Sequence, residues 1–455
     1  MKIAKVLPLY KSGNKHIFTN YRPVSLLPQF SKILEKLFNS RLEKFIDKHN
    51  LINESQYGFR TARSTSMAII DALEDITNSL DRKKYAAGIF IDLKKAFDTL
   101  NHGILIRKLE RYGIRGAASS WIQSYLTDRQ QYVKMGEYSS GYLGIDCGVP
   151  QGSVLGPKLF ILYINDIFQV STLLKLILFA DDTNIFYSND DYNDLIHNIN
   201  NELMKLKAWM DINKLSLNLS KTKVMFFGYY NVNLDPVINI DGVDLDTVSE
   251  IKFLGLTIDS KITWKSHIRH IQGKVSKSIS IINKAKHYLD YHALLLLYCS
   301  LVLPYLTYCV EVWGNNYKGS LHPLIILQKR AVRIIHKVGY YDHTNTLFLQ
   351  ANLLKLPDLV EFYTVQVLFK ASKNTLPVNL QKLFMLREGG YNLRGCGNFK
   401  IKAARTTRKC FCVSVCGVKL WNQLEPELKQ CPNIHLFKSR FKNMVFSRYR
   451  GFVLG

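Results

Sequence analysis

The chain has 455 residues, 47% of them hydrophobic, which excludes a disordered tail and leaves room for two or three subdomains around a large core. Its 61 Lys and Arg against 36 Asp and Glu give a formal charge of +25. That surplus points to a polyanion, nucleic acid first and an acidic membrane surface second, unless it is only a solvated face. Eight cysteines, at 147, 299, 309, 396, 410, 412, 416 and 431, show no even framework and suit a reducing compartment without disulfides. The opening MKIAKVLPLYKSG has too short an apolar run for a secretory signal. It reads as a strand from Ile3 to Leu9, a turn over Lys11-Ser12-Gly13-Asn14 and an extended Tyr21-Arg22-Pro23-Val24 segment, together a two-stranded flap.

From Phe30 the apolar residues Phe30, Ile33, Leu34, Leu37, Phe38, Leu42, Phe45 and Ile46 mark one face of a long amphipathic helix. Ser64 caps a second helix carrying Ile69, Ile70, Leu73, Ile76 and Leu80. The middle third alternates a strand from Ala86 to Leu93, a helix ending near Gly113, a hairpin around Met135-Gly136, a helix from Pro157 to Ile167 and a strand from Leu174 to Ala180. That pattern is α+β with carboxylates at strand ends. After Asp259 helical periodicity takes over, and the apolar run from Ala293 to Val312, interrupted by Ser300, Pro304 and Thr307, reads as buried helix rather than a membrane span.

Asp92 ends the apolar run Ala86-Ala87-Gly88-Ile89-Phe90-Ile91, so its backbone belongs to a buried strand. Alone it reads equally as a helix N-cap or a partner of Lys94 or Lys95. Asp181 and Asp182 lie between two apolar arms, Leu176-Ile177-Leu178-Phe179 and Thr183-Asn184-Ile185-Phe186-Tyr187, that suggest a hairpin. Two like charges at its tip repel, so a bound divalent cation explains them better than a structural role. Phosphoryl transfer by two Mg²⁺ ions, with Mn²⁺ as a substitute, needs such oxygen ligands, one ion activating the attacking hydroxyl and the other steadying the leaving pyrophosphate.

The ordered set resembles the reverse transcriptases of non-LTR, jockey-like retrotransposons. Phe90-Ile91-Asp92-Leu93-Lys94-Lys95-Ala96-Phe97-Asp98 is similar to motif A, Gly148-Val149-Pro150-Gln151-Gly152-Ser153-Val154-Leu155-Gly156-Pro157 to motif B, and Phe179-Ala180-Asp181-Asp182 to motif C. Asn218-Leu219-Ser220-Lys221-Thr222-Lys223 resembles motif D and Phe253-Leu254-Gly255-Leu256-Thr257-Ile258 the primer grip. The resemblance implies a right-hand polymerase with an antiparallel palm sheet: fingers and palm over 1–260, a thumb-like helical region over 261–320, and a basic C-terminal region over 321–455. It implies an RNA template, a DNA primer or target, deoxynucleoside triphosphates and no membrane partner.

Carried over by position, the resemblance implies catalytic roles for Asp92, Asp181, Asp182 and Lys221, with Lys223 competing for the last. The three aspartates and Leu93 are the implied metal ligands, and Lys11, Arg22, Phe97, Gln151 and Gly152 the nucleotide site. Phe97 stands where the family closes the sugar pocket against a ribose 2′-OH, although a Phe starting a helix is equally a core residue. The motif B loop by composition alone is an ordinary strand-to-helix turn. Arg60, Arg63, Gly255 and Trp264 are the implied nucleic-acid contacts, with Lys265, His267, Arg269, Lys274 and Lys277 available to phosphates.

The C-terminal region interleaves cations with Trp421, Leu424 and Phe437, a pattern that suits stacked bases but equally the core of a helical cap. Cys396, Cys410, Cys412 and Cys416 do not fit a standard zinc spacing and read as free thiols. Related elements carry an apurinic-type endonuclease upstream, so nicking is expected to be lost from this copy or supplied elsewhere. Reaching chromosomal DNA implies a nuclear site of action after cytoplasmic synthesis. A related RNA polymerase and a non-catalytic nucleic-acid-binding relic are the competing readings. Phe97 and Ala180 oppose the first and the intact aspartates the second.

Overall fold

The computed structural model describes residues 2–228, 237–387 and 397–451, so Cys396 lies outside the described residues. The chain is α+β and forms two compact units. Unit 1 takes residues 1–63, 87–224 and 232–247, and unit 2 takes 64–86, 225–231 and 248–455. The division falls near neither 260 nor 320. It also assigns the helix capped by Ser64 to the same unit as the C-terminal half.

Unit 1 is organised by a sheet with the strand order Asp246–Thr247, Lys223–Phe227, Tyr85–Ile91, Asp182–Asn189, Lys175–Phe179. Tyr85–Ile91 is central and buried along almost its whole length, which is why it carries an unbroken apolar run rather than an alternating one. Beside it in sequence, Gly156–Ile164 is buried nearly all round, and the Lys158 amine escapes by meeting Glu43 and the Phe59 carbonyl, each at 3.0 Å. The flap is antiparallel over Ile3–Tyr10 and Tyr21–Leu26, and Ile3–Tyr10 also pairs in parallel with Arg129–Met135, giving a broader sheet than two strands.

The helix expected from Phe30 forms as Gln29–Lys48, but its apolar stripe does not face inward over the first half. Phe30, Ile33, Leu34 and Leu37 are exposed, while Ser31 and Glu35 are buried beside Leu42 and Ile46. The reason is Glu35, whose Oε2 accepts from the Val154 and Leu155 N–H groups at 2.7 and 3.2 Å. A buried carboxylate is tolerated when it satisfies helix-start donors, and here that turns the helix.

In unit 2 the Thr65–Asp81 helix, capped by the Ser64 side chain, is buried on most faces. The run expected as one buried helix over Ala293 to Val312 is instead three: Tyr291–Leu301, Leu303–Thr307 and Val310–Trp313. Pro304 in the first turn of the second, and Cys309 in the left-handed region at φ 50°, set the breaks, and Leu296 is exposed. Among the described residues no helix is long and apolar enough to cross a membrane.

The C-terminal aromatics settle into a core. Trp421 and Phe437 are fully buried with Phe369, Phe399 and Phe441, the Phe369 and Phe437 rings stack at 4.6 Å, and the Trp421 indole donates to the Gly397 carbonyl at 3.0 Å. They are therefore not stacking platforms for bases. The Cys412 and Cys416 thiols are pushed up by burial, and Glu74 adds to it, which opposes the thiolates that zinc requires.

Candidate active site

The site in unit 1 is assembled from a strand end, a hairpin tip and three loops. Asp92 follows Tyr85–Ile91, and its carbonyl accepts the Asn218 N–H at 2.8 Å while Lys94 N–H reaches the Ser216 carbonyl at 2.8 Å. These two bonds bracket an antiparallel bridge between Leu93 and Leu217. In that geometry the N–H and C=O of Leu93 point away from the 216–218 segment, leaving its carbonyl on the opposite side. The Asp92 Oδ2 accepts from the Asn218 amide at 2.8 Å, and the Lys221 ammonium stands 3.7 Å from it. Lys223 is taken by Asp246 at 2.5 Å and by the Ser220 carbonyl, which separates the two competing lysines.

The doublet sits where the hairpin was expected. Lys175–Phe179 and Asp182–Asn189 pair antiparallel, with Phe179 opposite Asp182, so Ala180 and Asp181 form the turn. Ala180 has φ 58°, a conformation that alanine adopts at a cost. Gln56 holds it there: its Oε1 accepts from Ala180 N–H at 3.1 Å and from Gly58 N–H at 2.8 Å. The chain on either side completes the clamp, since Tyr57 N–H donates to the Leu178 carbonyl and Leu178 N–H to that of Ser55. A Cβ on Gly58 would lie 2.2 Å from the Ala180 nitrogen, so only glycine permits this approach.

Burial pushes Asp182 up to about 6, helped by the charges of Asp181 and Asp92. Asp181 is raised by burial and by Asp92, against the opposing pull of Arg22 and Lys11. The three carboxylates thus act on one another, and the two flap cations act on the second of them. Asp98 is also raised by burial, although Gln151 donates to it at 3.0 Å and Lys95 and Arg22 counter the shift. The motif B loop is strapped to the chain beyond Asp92 by Gly148 N–H to the Leu100 carbonyl and Val149 N–H to that of Phe97, at 2.7 and 2.8 Å. Gly152, at φ +115°, passes so near the flap that a Cβ would be 2.8 Å from the Ser25 carbonyl oxygen. Phe97 is half-buried, tilted against Phe160 at 4.8 Å between ring centres.

Among the described residues, no three His, Cys, Asp or Glu side chains form a closed cage for one ion. The donor set at the tip is open and all-oxygen, and its raised carboxylates are the electrostatic cost that a hard divalent cation relieves. Such a set suits ions shared with a nucleotide's phosphates.

The chain's residues 11–258 match the model of the family described as reverse transcriptase (RNA-dependent DNA polymerase). The chain belongs to the reverse transcriptase family. It is 30% identical over 384 residues to the probable RNA-directed DNA polymerase from transposon BS of Drosophila melanogaster, covering 80% of this chain and 41% of the relative. It is 27% identical over 372 residues to the RNA-directed DNA polymerase from mobile element jockey of the same species, covering 79% and 40%. The jockey-like resemblance read from the motifs is therefore shown, while this reverse transcriptase chain spans about two fifths of the length of these relatives. Among solved structures, a telomerase from Candida albicans, in complex with a fragment of telomeric RNA, is 13% identical over 78% of this chain and 66% of its own, with a TM-score of 0.45.

The expected nucleic-acid contacts fare differently. Arg60 and Arg63 both turn to Glu54, at 3.3 and 2.5 Å, with little side-chain exposure, so they brace a loop rather than face open groove. Trp264 is buried in unit 2, and Gly255, at φ +88°, serves a hairpin turn against Tyr308, whose hydroxyl donates to the Leu254 carbonyl at 2.7 Å. His267 is also core: its Nδ1 accepts the Thr257 N–H at 3.3 Å, and burial lowers it to about 4, so it carries no charge for a phosphate. Residues whose part was missed are Gln56, Asn218 and Glu35. The signal for Gln56 was its place two residues before a glycine that must let another backbone close in.

Proposed function

We propose that this chain is the polymerase part of a non-LTR retrotransposon protein, extending a DNA primer on an RNA template with deoxynucleoside triphosphates. The reading is carried by the mutual electrostatic contact of Asp92, Asp181 and Asp182 at one strand end and one hairpin tip, with Lys11 and Arg22 acting on Asp181. Asp92, Asp181 and Asp182, with the Leu93 carbonyl, would hold two Mg²⁺ ions, for which Mn²⁺ substitutes. Bound there, the pair lowers the barrier to attack by the primer hydroxyl and neutralises the leaving pyrophosphate.

The chain's own groups supply the rest. Lys11 and Arg22 draw the triphosphate against the hairpin by charge, as fixed cations do for transferred phosphoryl groups. Lys221, beside Asp92, is placed to give its proton to the departing pyrophosphate. Gln151 releases Asp98 to meet the incoming nucleotide, and Gly152 keeps the loop backbone low enough for that. The Phe97 ring blocks a ribose 2′-hydroxyl. Fingers and palm correspond to unit 1, the helices from Lys265 onward to a thumb, and the basic remainder to a tail. Target-primed synthesis would set the work in the nucleus.

The deciding experiment is extension of a DNA primer annealed to an RNA template, with Mg²⁺ and deoxynucleotides, by the chain and by Asp181→Asn. Extension by the chain, and its fall by about a thousandfold or more in the variant with primer-template affinity kept, is the expected result, because several kcal/mol of transition-state stabilisation are removed. Equal extension by Asp181→Asn, or synthesis with ribonucleotides alone, would overturn the reading.

A further inference from the structure

Unit 2 contains a cavity of about 500 Å³ that the polymerase chemistry does not use. Its walls come from three stretches of chain: the loop at Ile262, the start of the Lys318–Ile335 helix, and the 405–411 segment. Lys265, Arg405 and Arg408 line it together with Ser320, and among the described residues that form its wall there is no carboxylate. Three cations converging without a counter-charge in one concavity are costly to the folded chain unless an anion enters.

The cations are not loosely arranged. The Arg405 Nε donates to the Asp81 carbonyl at 2.9 Å and its Nη2 to that of Leu80 at 3.1 Å, so backbone oxygens at the end of the Thr65–Asp81 helix fix the guanidinium. The Asp81 carboxylate is meanwhile occupied by the N–H groups of Arg405 and Thr406 and by the Thr406 hydroxyl. Aromatic surface accompanies the charge. Tyr317 is 61% exposed, and its ring meets Phe411 edge-on at 5.0 Å, which holds one ring upright beside the cations. Unlike Trp421 or Phe437, Tyr317 has a face left for a base. The rim carries backbone strain as well: Ile262, a β-branched residue, sits at φ 50°, and Trp264 at φ 63°.

We propose that this cavity is a binding site for a single strand of nucleic acid, taking backbone phosphates on Lys265, Arg405 and Arg408 and stacking a base on Tyr317. It goes beyond the polymerase reading, since it requires neither metal nor nucleotide. A strand fits better than a lone anion, because the stacking face and the cations share one wall. Base stacking on an exposed ring with cations along the backbone is the general pattern of sequence-tolerant single-strand sites.

The test is fluorescence anisotropy of the full chain with labelled twelve-nucleotide single-stranded RNA and DNA of one sequence, in EDTA without nucleotides, across a salt series. Binding here is thus read apart from primer extension, which is measured separately on the same variants. The Lys265→Glu/Arg408→Glu pair should weaken binding at least tenfold and make the salt slope shallower by about 1.4, two contacts at roughly 0.7 each for a single strand. Tyr317→Ala should weaken it several-fold or more while leaving the salt slope unchanged. Loss for RNA alone, or for both strands alike, identifies the source of the strand and supports the site in either case. A control pair with the same charge change, Lys44→Glu/Lys48→Glu on the exposed side of the Gln29–Lys48 helix, should do neither. An equal loss and equal flattening in the control would reduce the effect to overall charge and overturn the proposal. Should the charge-reversal pair not fold, photocrosslinking of 4-thiouridine RNA to the unaltered chain decides. Peptides containing Tyr317 or residues 405–411 support the site, and crosslinks confined to other segments overturn it.

Discussion

Units 1 and 2 both bury carboxylates, and they do so in opposite ways. In unit 2, Glu74 lies inside the fold with the Lys409 ammonium against it, the Ser414 N–H donating at 2.8 Å and the Ser414 hydroxyl at 2.7 Å. In unit 1, burial raises Asp181 and Asp182, and the neighbouring carboxylates raise them further. A carboxylate supplied with donors is a structural joint, tying the Thr65–Asp81 helix to the C-terminal segment. Carboxylates crowded together are held against the preference of the fold, and that expense is where function is to be sought. Neutralising charge should therefore harm one unit and relieve the other.

The largest effect is expected at the joint. Lys409→Met leaves Glu74 buried without its cation, and breaking such a pair costs about 3–5 kcal/mol. Denaturant unfolding should show that loss in the transition belonging to unit 2, and Glu74→Gln/Lys409→Met should recover part of it. If Lys409→Met is as stable as the parent chain, the joint is solvated and the contrast between the units fails.

The aromatics draw the same contrast. Phe97 leans on Phe160 with part of its ring open, whereas Trp421 is enclosed. Phe97→Ala should lower the preference for dGTP over GTP by tens of fold, the scale of one group in a fitted pocket, with a smaller fall in the deoxynucleotide rate. Trp421→Ala should cost about 3–5 kcal/mol of stability without touching selectivity. Unchanged competition between the two nucleotides in Phe97→Ala would make Phe97 a core residue like Trp421.

What could be read from the sequence follows the same division. Asp92, Asp181 and Asp182 were legible because strand ends and a hairpin tip are short-range features, and like charges there demand a reason. Lys265, His267 and Trp264 looked alike as a basic-aromatic run, yet only Lys265 lines an open cavity, because the left-handed turn at Trp264 sends its ring and His267 into the core. The apolar stripe of Gln29–Lys48 misled for a similar reason: periodicity shows which residues share a face, but Glu35, bonded to a loop more than a hundred residues away, decides which face turns in. Composition in the tail suggested a surface and gave a core.

Gln56 extends the comparison to a neutral group. It touches neither nucleotide nor metal ligand directly and acts through Ala180, so it is a positioning residue. Gln56→Met keeps the volume and removes the acceptor for the Ala180 and Gly58 N–H groups. Extension should fall about tenfold, on the scale of a donor pair left unsatisfied, with primer-template affinity intact. A rise in the Mg²⁺ concentration needed for half-maximal rate separates this from general unfolding. Gln56→Glu, which restores an acceptor, should recover much of the rate, and no rescue would show that the clamp does not set the hairpin.

The smallest effect is a pH dependence at Asp182, and its sign is fixed by the direction of the shift. The carboxyl is raised to about 6 in the folded chain, by burial first and then by Asp181 and Asp92, against about 3.9 for an unfolded aspartate. Below about pH 4 both states are protonated and the group costs nothing. As pH rises toward 6 the unfolded chain gives up its proton first, so stability that was present in acid is lost across that window and stays lost at neutrality. Asp182→Asn should therefore melt slightly above the parent chain at pH 7 in EDTA and level with it near pH 4. Added Mg²⁺ should raise the melting temperature of the parent more than that of the variant, because only the parent carries the charge that a cation relieves. A variant that melts lower than the parent at pH 7 in EDTA would mean that Asp182 has donors enough to be a joint like Glu74, and the opposition between the two units would not hold.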